Sequence, residues 1–523
     1  MTDLLSLYIE SVFSSCSTGS FSLKEELISE HLRSHHPHLT EEKIKQVHAM
    51  YRECWSHHPD DSRQTDFFYT IIQFAKEKVL LRGNQVRIKL EELLRWRRLA
   101  VIIGEDTLVT AWLAYHFRWT EMKISDAEWN MACAVEDPDM NYLYDKGLTD
   151  LHHHLKASTD VFTLSWVCLM NHITHRYRVF REIGARQMYP SCFEAVRIRY
   201  LLWSFLNRSE TTPESFIGQG TEEYLLERKM QELQDRMAYA RMLKGKNALY
   251  DYAVPSFSTT HDQDPNVFEG ERWLLYTTLR QVFRESVHKD KLSKLLFRYL
   301  MIKQQLRRRM VQINANVGFS NFSIYERRKD LFLEGHKEYE ELLITLPISE
   351  GGFHHLKYLE TRIAPKSNYQ NLKQSSKQIL ASWKKKKNGG VDTKLIFHFI
   401  KKDDEKWNPH RERHHKLRLD LRRQAITMMT LRRRFYALYD IFVGIDAANT
   451  ELDCRPEVFA HAFRYVKVHN DDNIPLADAQ KRKRVPISLT YHVGEDFYDI
   501  VDGLRAIDEA IRFLGISTGD RLG

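Results

Sequence analysis

Four short apolar runs that are followed by polar turns constrain the fold of this 523-residue chain more than any other feature. Each run has a length typical of a buried strand, and helix-like stretches follow the runs. Strand, loop and helix repeated in this way indicate an α/β fold with parallel strands. The runs are LTDLHHHL at 148–155, KLIFHFI at 394–400, DIFVGIDA at 440–447 and VPISLTYHVG at 485–494.

The residues after the last of these runs predict an amphipathic helix over 500–514. Apolar side chains recur there three and four residues apart, which places them on one face of a helix. The apolar positions are Ile500, Val501, Leu504, Ile507, Ile511 and Leu514. A second helix is predicted at 456–468, where Pro456 occupies a first helical position that needs no backbone N–H.

Two domains are predicted from a change of character near residue 146. Residues 1–146 are predicted to form a helical N-terminal domain, because apolar residues recur at helical spacing and capping-box patterns begin at Ser22 and Ser125. Residues 147–523 are predicted to form the α/β domain. Between 161 and about 390 this domain has a basic and mainly helical pattern, which we interpret as a large helical insertion.

Composition indicates a globular protein of a reducing compartment. The sequence is 43% hydrophobic but has no run of about 18 apolar residues, which argues against a membrane span. Its six cysteines are scattered without a C-x-x-C pair, so neither a disulfide framework nor a cysteine-based zinc site is indicated. The N-terminal stretch carries acids and lacks a signal-peptide pattern. We therefore expect a cytoplasmic protein without membrane association.

The net charge of +8 is unevenly placed along the chain. Such basic clusters meet phosphates, acidic partners or only water, so the charge leaves open whether the protein binds nucleic acid. The helical additions, with mixed basic and apolar faces, offer assembly surfaces, and we expect a homo-oligomer. The clusters lie at 307–309, 384–387, 411–434 and 481–484.

Histidines at the ends of two apolar runs predict a metal site. His152 and His154 lie two residues apart, so on a strand both side chains project to one face while His153 points away. His492 follows another apolar run, and Glu495 comes three residues later. Three protein ligands leave a zinc ion one position for water, and a nearby carboxylate can then move protons. We therefore predict one zinc ion per active site, held by His152, His154 and His492.

The same motifs resemble those of the adenosine/AMP deaminase family of the amidohydrolase superfamily. The family's elements follow the first, fourth and fifth strands and mark the sixth strand of a metal-dependent (β/α)8 TIM barrel, and they stand here in that order. The resemblance implies this fold, incomplete in this chain, and hydrolytic deamination of adenosine or adenine nucleotides. It covers about 147–160 and 436–523. The matching elements are D-L-H-H-H-L, G-I-D-A-A-N, T-Y-H-V-G-E-D and R-L-G.

Residue roles follow from the resemblance. It implies that the three histidines bind zinc, and that Glu495 protonates the purine nitrogen N1 while an activated water attacks C6 and ammonia leaves. Asp446 and Asn449 would lie in the loop that lines the purine pocket. Asp446 has an alternative role, as a carboxylate that holds a ligating histidine in place.

Three departures from the family pattern affect what the resemblance implies. Lys156 stands where the family has an acid that faces the ribose 5′-hydroxyl, and an ammonium there would pair with a 5′-phosphate. Asn449 replaces a glycine whose backbone approaches the base. The sequence stops at Gly523, before the family's next histidine and its further metal-ligand aspartate. We therefore expect a longer polypeptide, of which these 523 residues alone are inactive.

The large helical additions, together with this signature, are also similar to the deaminase component of the bacterial RADAR anti-phage system. That resemblance implies a role in antiviral defence, a large assembly, an ATPase partner protein, and substrates such as ATP or dATP.

Other interpretations stay open at this level. A nucleic-acid-binding or assembly scaffold on a degenerate barrel would use the basic helices instead of a metal. An amidohydrolase of this kind could also act on adenine in RNA. The other paired histidines, at 35–36, 57–58, 354–355 and 414–415, are interpreted as solvated or structural. His398 in KLIFHFI is interpreted as a satisfied histidine within a strand.

Overall fold

The computed structural model describes most of the chain in two compact units. The described residues are 3–14, 25–55, 64–129, 132–155, 161–174, 176–207, 228, 231–233, 235, 250–254, 267–311, 328, 331–348, 355–385, 390–402, 410–452, 454–470 and 485–523. The helical unit consists of the described residues within 1–142, 160–316 and 325–340. The sheet unit consists of those within 143–159 and 341–523.

Helices from two separate parts of the sequence share the apolar core of the helical unit. In chain order, the helices up to residue 345 are α1 (Leu4–Ser14), α2 (Glu25–His35), α3 (Glu41–Trp55), α4 (Gln64–Lys78), α5 (Leu93–Ile103), α6 (Glu105–His116), α7 (Pro138–Lys146), α8 (Val161–Asn171), α9 (Tyr177–Glu182), α10 (Met188–Leu206), α11 (Glu269–Phe283), α12 (Lys289–Met310) and α13 (Lys337–Thr345). Phe67 of α4 makes edge-to-face ring contacts with Phe13 of α1 and Phe297 of α12. Both parts therefore contribute to one core.

A three-stranded sheet also lies in the helical unit, where the sequence predicted helices alone. β1 (Val79–Arg82) and β2 (Gln85–Lys89) form an antiparallel hairpin, and β3 (Ala134–Glu136) pairs in parallel with β2. Gly83 occupies the hairpin turn with φ +60°, a conformation that glycine adopts without strain. The alternation of buried and half-buried residues along β2 is too short to stand out from the helical pattern around it.

The predicted insertion at 161–390 differs from the structure in two ways. Its helices up to 310 belong to the helical unit, because their apolar faces complete the core that the N-terminal helices begin. Its last part joins the sheet unit as strand β5 (Leu356–Ile363) and helix α14 (Tyr369–Lys385). Lys357 and the consecutive polar residues Glu360, Thr361 and Arg362 interrupt the apolar run of β5, so the strand is hidden in the sequence.

Six parallel strands form the main sheet of the sheet unit, among the residues that the structure describes, and they are ordered as in the sequence. They are β4 (Leu148–His154), β5, β6 (Asp392–Ile400), β7 (Phe442–Ala448), β8 (Ser488–Tyr491) and β9 (Arg521–Leu522). Helices α14, α15 (His415–Arg434), α16 (Ala460–Val468) and α17 (Ile500–Leu514) connect successive strands from β5 onward. The four strands predicted from the apolar runs are confirmed, as is the α/β class.

The sheet is curled into a half-barrel, since residues four strands apart touch across its inner face. In a flat sheet β4 and β8 would lie about 19 Å apart, at about 4.8 Å per strand. Instead, Nε2 of His152 lies 2.8 Å from Nε2 of His492, which directly follows β8. Arg521 of β9 likewise forms an ion pair with Glu360 of β5.

The two faces of the half-barrel differ in chemistry. Residues on the outer face pack with the helices in one apolar core. They include Leu395, Phe397, Phe399, Ile445, Ala447, Leu489 and Tyr491. The residues between them face inward and become polar near the strand ends, where His398 of β6 and Asp446 of β7 are register partners. This alternation explains why polar residues interrupt the ends of the apolar runs.

Strand β4 carries an irregularity next to its histidines. Its register against β5 shifts between Asp150 and His153, where β4 has one residue more than its partner. Such bulges re-aim side chains and are frequent beside functional sites. The Asp150 carboxylate accepts hydrogen bonds from the backbone N–H of His152 and from the ring of His153, which stabilises the bulge.

Helix α17 has the predicted bounds, but only part of the predicted apolar face is buried: Leu514 is buried and Ile507 packs against the core. Its buried residues are Gly503, Ala506, Ala510 and Leu514. By contrast, Ile500, Val501 and Leu504 are at least 62% exposed. The ring of Phe497 lies 3.1 Å from where a Cβ on Gly503 would stand. Close packing at the small residues Gly503 and Ala506 therefore helps to decide which face of α17 is buried.

Among the helices that the structure describes, none combines the length and the apolar character needed to cross a lipid bilayer.

Candidate metal centre

Three histidine side chains from the carboxyl ends of two strands converge at one point of the half-barrel. Nε2 of His152 lies 3.1 Å from Nε2 of His154 and 2.8 Å from Nε2 of His492. A tetrahedral zinc ion with Zn–N bonds of about 2.05 Å holds its ligand nitrogens about 3.3 Å apart. The three nitrogens are thus close to the spacing that one ion requires. Imidazole lone pairs aimed at one point repel each other unless a proton or a cation lies between them.

Asp446 fixes the orientation of His492. Its Oδ1 lies 2.9 Å from Nδ1 of His492, and because an ionised carboxylate only accepts, Nδ1 carries the hydrogen. The lone pair of Nε2 is then free to face the other two histidines. A carboxylate behind a ligating histidine is a common support at zinc sites. Asp446 is fully buried, which favours this role over the predicted place in the wall of a purine pocket.

Arg362 holds Asp446 from the other side and was missed in the sequence. Its Nε donates to Oδ2 of Asp446 at 2.8 Å, and a second nitrogen donates to the carbonyl of Leu151 at 2.6 Å. Burial alone would raise the pKa of Asp446, but the hydrogen bond and charge of His492 and the charge of Arg362 outweigh it. The pKa of Asp446 therefore lies far below its usual range. This series of contacts links both histidine segments through buried side chains.

Of the histidines in β4, the proposed ligands His152 and His154 are neutral near pH 7. Burial lowers the pKa of His152 to about 4, and the charge of Arg362 adds to the effect. Burial lowers the pKa of His154 to about 2, with a contribution from the neighbouring His398. Metal ligation requires neutral imidazole, so these surroundings suit a ligand role.

His398 does not have the fully satisfied ring that the sequence suggested. Its ring centroid lies 4.9 Å from that of His154, and its Nδ1 is buried without a hydrogen-bond partner among the described residues. Burial lowers the pKa of His398 to about 4, although the charge of Asp446 opposes this. The structure thus corrects the interpretation of His398 and places its imidazole beside the three predicted ligands.

The remaining predicted site residues lie in segments that follow the strands. Glu495 is exposed on the turn after β8. Asn449 follows β7 with φ +92°, in the left-handed region that favours glycine, and its side-chain amide donates to the carbonyl of Lys401 at 3.0 Å. Lys156 lies outside the described residues, so its contact with a phosphate stays a prediction.

Two charged residues near Glu495 were also missed in the sequence. Lys401, just after β6, is fully buried, and its Nζ donates to the carbonyl oxygen of His492. Burial lowers the pKa of Lys401, and the charge of Glu451 opposes this. Glu451, in the loop after β7, accepts hydrogen bonds from the backbone N–H groups of Gly494 and Glu495. Each follows an apolar run closely, which is the only signal that the sequence offers.

Within the part of the chain that the structure describes, two other groups of donor side chains, both in the helical unit, come close enough to share a cation. They are Glu10 with His31 and His36, and His172 with His336 and Glu338. In the first group, a guanidinium nitrogen of Arg98 lies 2.6 Å from Nδ1 of His36. A guanidinium only donates, so Nδ1 accepts and Nε2 of His36 carries the hydrogen that it gives to Glu10. That hydrogen occupies the place of a cation, so we interpret this group as a hydrogen-bonded cluster.

No protein-family model matches this sequence, and no curated protein is significantly similar to it.

Proposed function

We propose that this protein is a zinc-dependent hydrolase that removes the exocyclic amine of adenosine or of an adenine nucleotide. The observation that carries the proposal is the convergence of the Nε2 atoms of His152, His154 and His492. These residues occupy the ligand positions of the deaminase motifs that the sequence resembles, and Glu495 occupies the position of the proton carrier. The proposal includes closure of the half-barrel into a (β/α)8 barrel of amidohydrolase type.

Zinc bound at the three histidines would supply a Lewis acid that activates water for attack. The side chains of this protein would orient the ligand histidines and transfer the protons. Asp446 keeps Nδ1 of His492 protonated, so that Nε2 faces the metal position. Glu495 delivers a proton to N1 of the purine as the water oxygen bonds to C6. Of the two protons of that water, one passes to the amine and one restores the carboxyl group of Glu495, and the bond from C6 to the amine nitrogen breaks as ammonia leaves a C6 carbonyl.

The sequence resemblance extends the proposal to substrate and assembly. Adenosine, AMP, ATP and dATP are the candidate substrates, and the position of Lys156 in the sequence favours the phosphorylated ones. A homo-oligomeric assembly with an ATPase partner, acting in antiviral defence, is proposed on the same resemblance.

A mass-spectrometric assay of the complete polypeptide with added zinc tests the activity directly. We expect conversion of at least one of the four candidate substrates to its inosine form with release of ammonia. Glu495→Gln should lower kcat by at least about 100-fold, since general acid–base groups contribute about 10²–10⁴-fold. His492→Ala should lose both activity and tightly bound zinc.

A matched surface variant separates these effects from general damage. Glu457 forms only a long, partly exposed contact with Arg418, 3.8 Å between charged atoms, so Glu457→Gln should leave activity and zinc content unchanged. Ammonia release that persists in both Glu495→Gln and His492→Ala would refute the proposal.

The rival interpretation, a nucleic-acid-binding scaffold, needs free basic side chains. In the cluster at 307–309, Arg307 donates to the carbonyl of Val101 at 3.1 Å, and Arg308 donates to the carbonyl of Ser14 at 2.6 Å. These two arginines donate hydrogen bonds to backbone carbonyls within the helical unit. This cluster therefore gives the scaffold interpretation less support than its sequence suggested.

A further inference from the structure

The turn that carries Glu495 follows β8 and is held by contacts from the ends of two other strands, β6 and β7. Gly494 has φ +86°, and the backbone N–H groups of Gly494 and Glu495 both point to the carboxylate of Glu451, at 2.9 and 3.0 Å. Successive N–H groups aimed at one anion form a small anion-binding concavity. Here the anion is supplied by the loop after the neighbouring strand, β7.

The ammonium group of the buried Lys401 also contacts this turn. Nζ of Lys401, at the end of β6, donates to the carbonyl oxygen of His492 and lies 4.5 Å from the ring centre of Tyr491. Among the carboxylates that favour the charged form of Lys401, Glu451 has the largest effect. The positive charge therefore offsets that of Glu451 and fixes the first residue of the turn.

A further contact joins the same two loops. The hydroxyl of Thr450 donates to Oδ2 of Asp496 at 3.0 Å. Residues on both sides of Glu495 are thus tied to the loop after β7, while the side chain of Glu495 itself is exposed.

The two neighbouring glutamates therefore have different chemical uses. Both carboxylate oxygens of Glu451 accept backbone hydrogen bonds, so Glu451 cannot give or take a proton without breaking the turn. A general acid must instead reach the substrate with an available carboxyl group, which Glu495 offers. The structure assigns Glu451, braced by Lys401, as the positioning residue that sets the backbone of the proton carrier. This assignment deepens the proposed deaminase function and rests on it.

Glu451→Gln tests the assignment with little change of shape. The amide keeps one acceptor oxygen but turns an NH₂ group toward the second backbone N–H, which breaks the two-point contact. We expect kcat to fall by about 10–100-fold, as for small misplacements of a reacting group, with KM within about threefold of the wild-type value. Zinc content should be unchanged, because the zinc-binding histidines and Asp446 are untouched. Glu451→Asp, which keeps the charge but shortens the reach, should give an intermediate kcat.

Hydrogen exchange provides a readout that does not depend on activity. In Glu451→Gln, whichever of the Gly494 and Glu495 amides comes to face the NH₂ group should exchange at least about tenfold faster than in the wild type, since its protecting hydrogen bond is lost. Glu457→Gln, on the same stretch of chain, is the matched control and should leave both kinetics and exchange unaltered.

The outcomes distinguish the two proposals. A wild-type kcat in Glu451→Gln, in an assay where Glu495→Gln is inactive, would overturn the positioning role and leave the deaminase proposal standing. Unchanged hydrogen exchange at Gly494 and Glu495 would show that the hydrogen bonds to Glu451 do not hold the turn. A wild-type protein without deaminase activity would overturn the proposed function, and with it the catalytic role assigned to Glu451.

Discussion

At the residue scale, the Glu10 cluster shows how a few buried groups set the response of the protein to pH. Glu10 accepts hydrogen bonds from His31 at 3.1 Å and from His36 at 2.8 Å, and all three side chains are buried. Burial alone would raise the pKa of Glu10, but the hydrogen bonds to the two histidines outweigh it and lower that pKa to about 2. Burial lowers the pKa of His31, although Glu10 opposes this.

Both shifts predict loss of stability in acid. The folded-state pKa of Glu10 lies below its ordinary value of 4.5, so the carboxylate stabilises the fold above pH 4.5, and this contribution is lost as the pH falls toward 2. The lowered pKa of His31 means that protonation opposes folding as the pH falls below 6.5. Glu10→Gln should lower the free energy of unfolding at pH 7 by about 1–3 kcal/mol and flatten its further fall between pH 5 and pH 3.

Urea midpoints at pH 7 and at pH 4 measure this difference. Glu41→Gln is the control, because Glu41 is 66% exposed and pairs only with the exposed Arg33. If Glu10→Gln lost stability with falling pH as steeply as the wild type, the role given to Glu10 would be wrong.

The residues of the candidate site differ in how far the sequence could predict them. His152, His154 and His492 were predictable because each stands at the end of an apolar run, and the structure brings all three together. Arg362 was not predictable, because its role depends on contacts with both β4 and β7, which only the curled sheet supplies. Glu451 was missed because an acid in a polar loop is usually solvated, and its backbone partners lie 43 and 44 residues further along the chain.

At the element scale, helix α17 begins at a defined cap. The side chain of Asp499 accepts a hydrogen bond from the backbone N–H of Asp502 at 2.9 Å, and its φ of −152° is extended. One of the backbone N–H groups that a helix start leaves without an intrahelical partner is thereby satisfied.

Removal of this cap should destabilise the sheet unit measurably. We expect Asp499→Ala to lower the free energy of unfolding by about 1 kcal/mol, with the denaturant m-value unchanged. Asp508→Asn serves as a control on the same helix, because Asp508 forms only an exposed ion pair with Arg512. Its loss should cost at most about 0.5 kcal/mol. Equal losses in the two variants would argue against the cap.

The sequence predicted a helix or strand correctly where a single spacing of apolar residues persisted along it. The prediction failed where a second feature, such as residue size or inward-facing charge, altered that spacing. The bounds of α17 agree with its helical spacing, but its buried face agrees only in part, because Gly503 and Ala506 permit a closer approach than Ile500 or Leu504 would. Strand β5 was hidden by inward-facing charges, which are needed inside a curled sheet but resemble the polar face of a helix.

At the scale of the whole molecule, the division into two units predicts how metal affects stability. All the proposed zinc ligands and their supporting residues belong to the sheet unit. A ligand that binds only the folded state stabilises by about 4 kcal/mol at a thousandfold excess over its Kd. Zinc removal should therefore lower the unfolding temperature of the sheet unit and leave that of the helical unit unchanged.

Calorimetry with and without a chelator measures this selectivity. Asp446→Asn should weaken zinc binding by about 10–100-fold and reduce the zinc-dependent shift accordingly, because His492 loses the acceptor that orients it. A chelator effect of equal size on both transitions, or on neither, would contradict the placement of the metal.

The separation of the histidines along the chain has a consequence for biosynthesis. Nε2 of His152 and Nε2 of His492 lie 2.8 Å apart although the two residues are 340 positions apart in the chain. At about 5–20 residues per second, His152 leaves the ribosome roughly 17–70 s before His492 is made. During that interval the nascent chain contains only His152 and His154 of the three proposed zinc ligands. All three histidines can therefore hold the proposed zinc ion only after His492 has emerged, so the complete site forms late in synthesis.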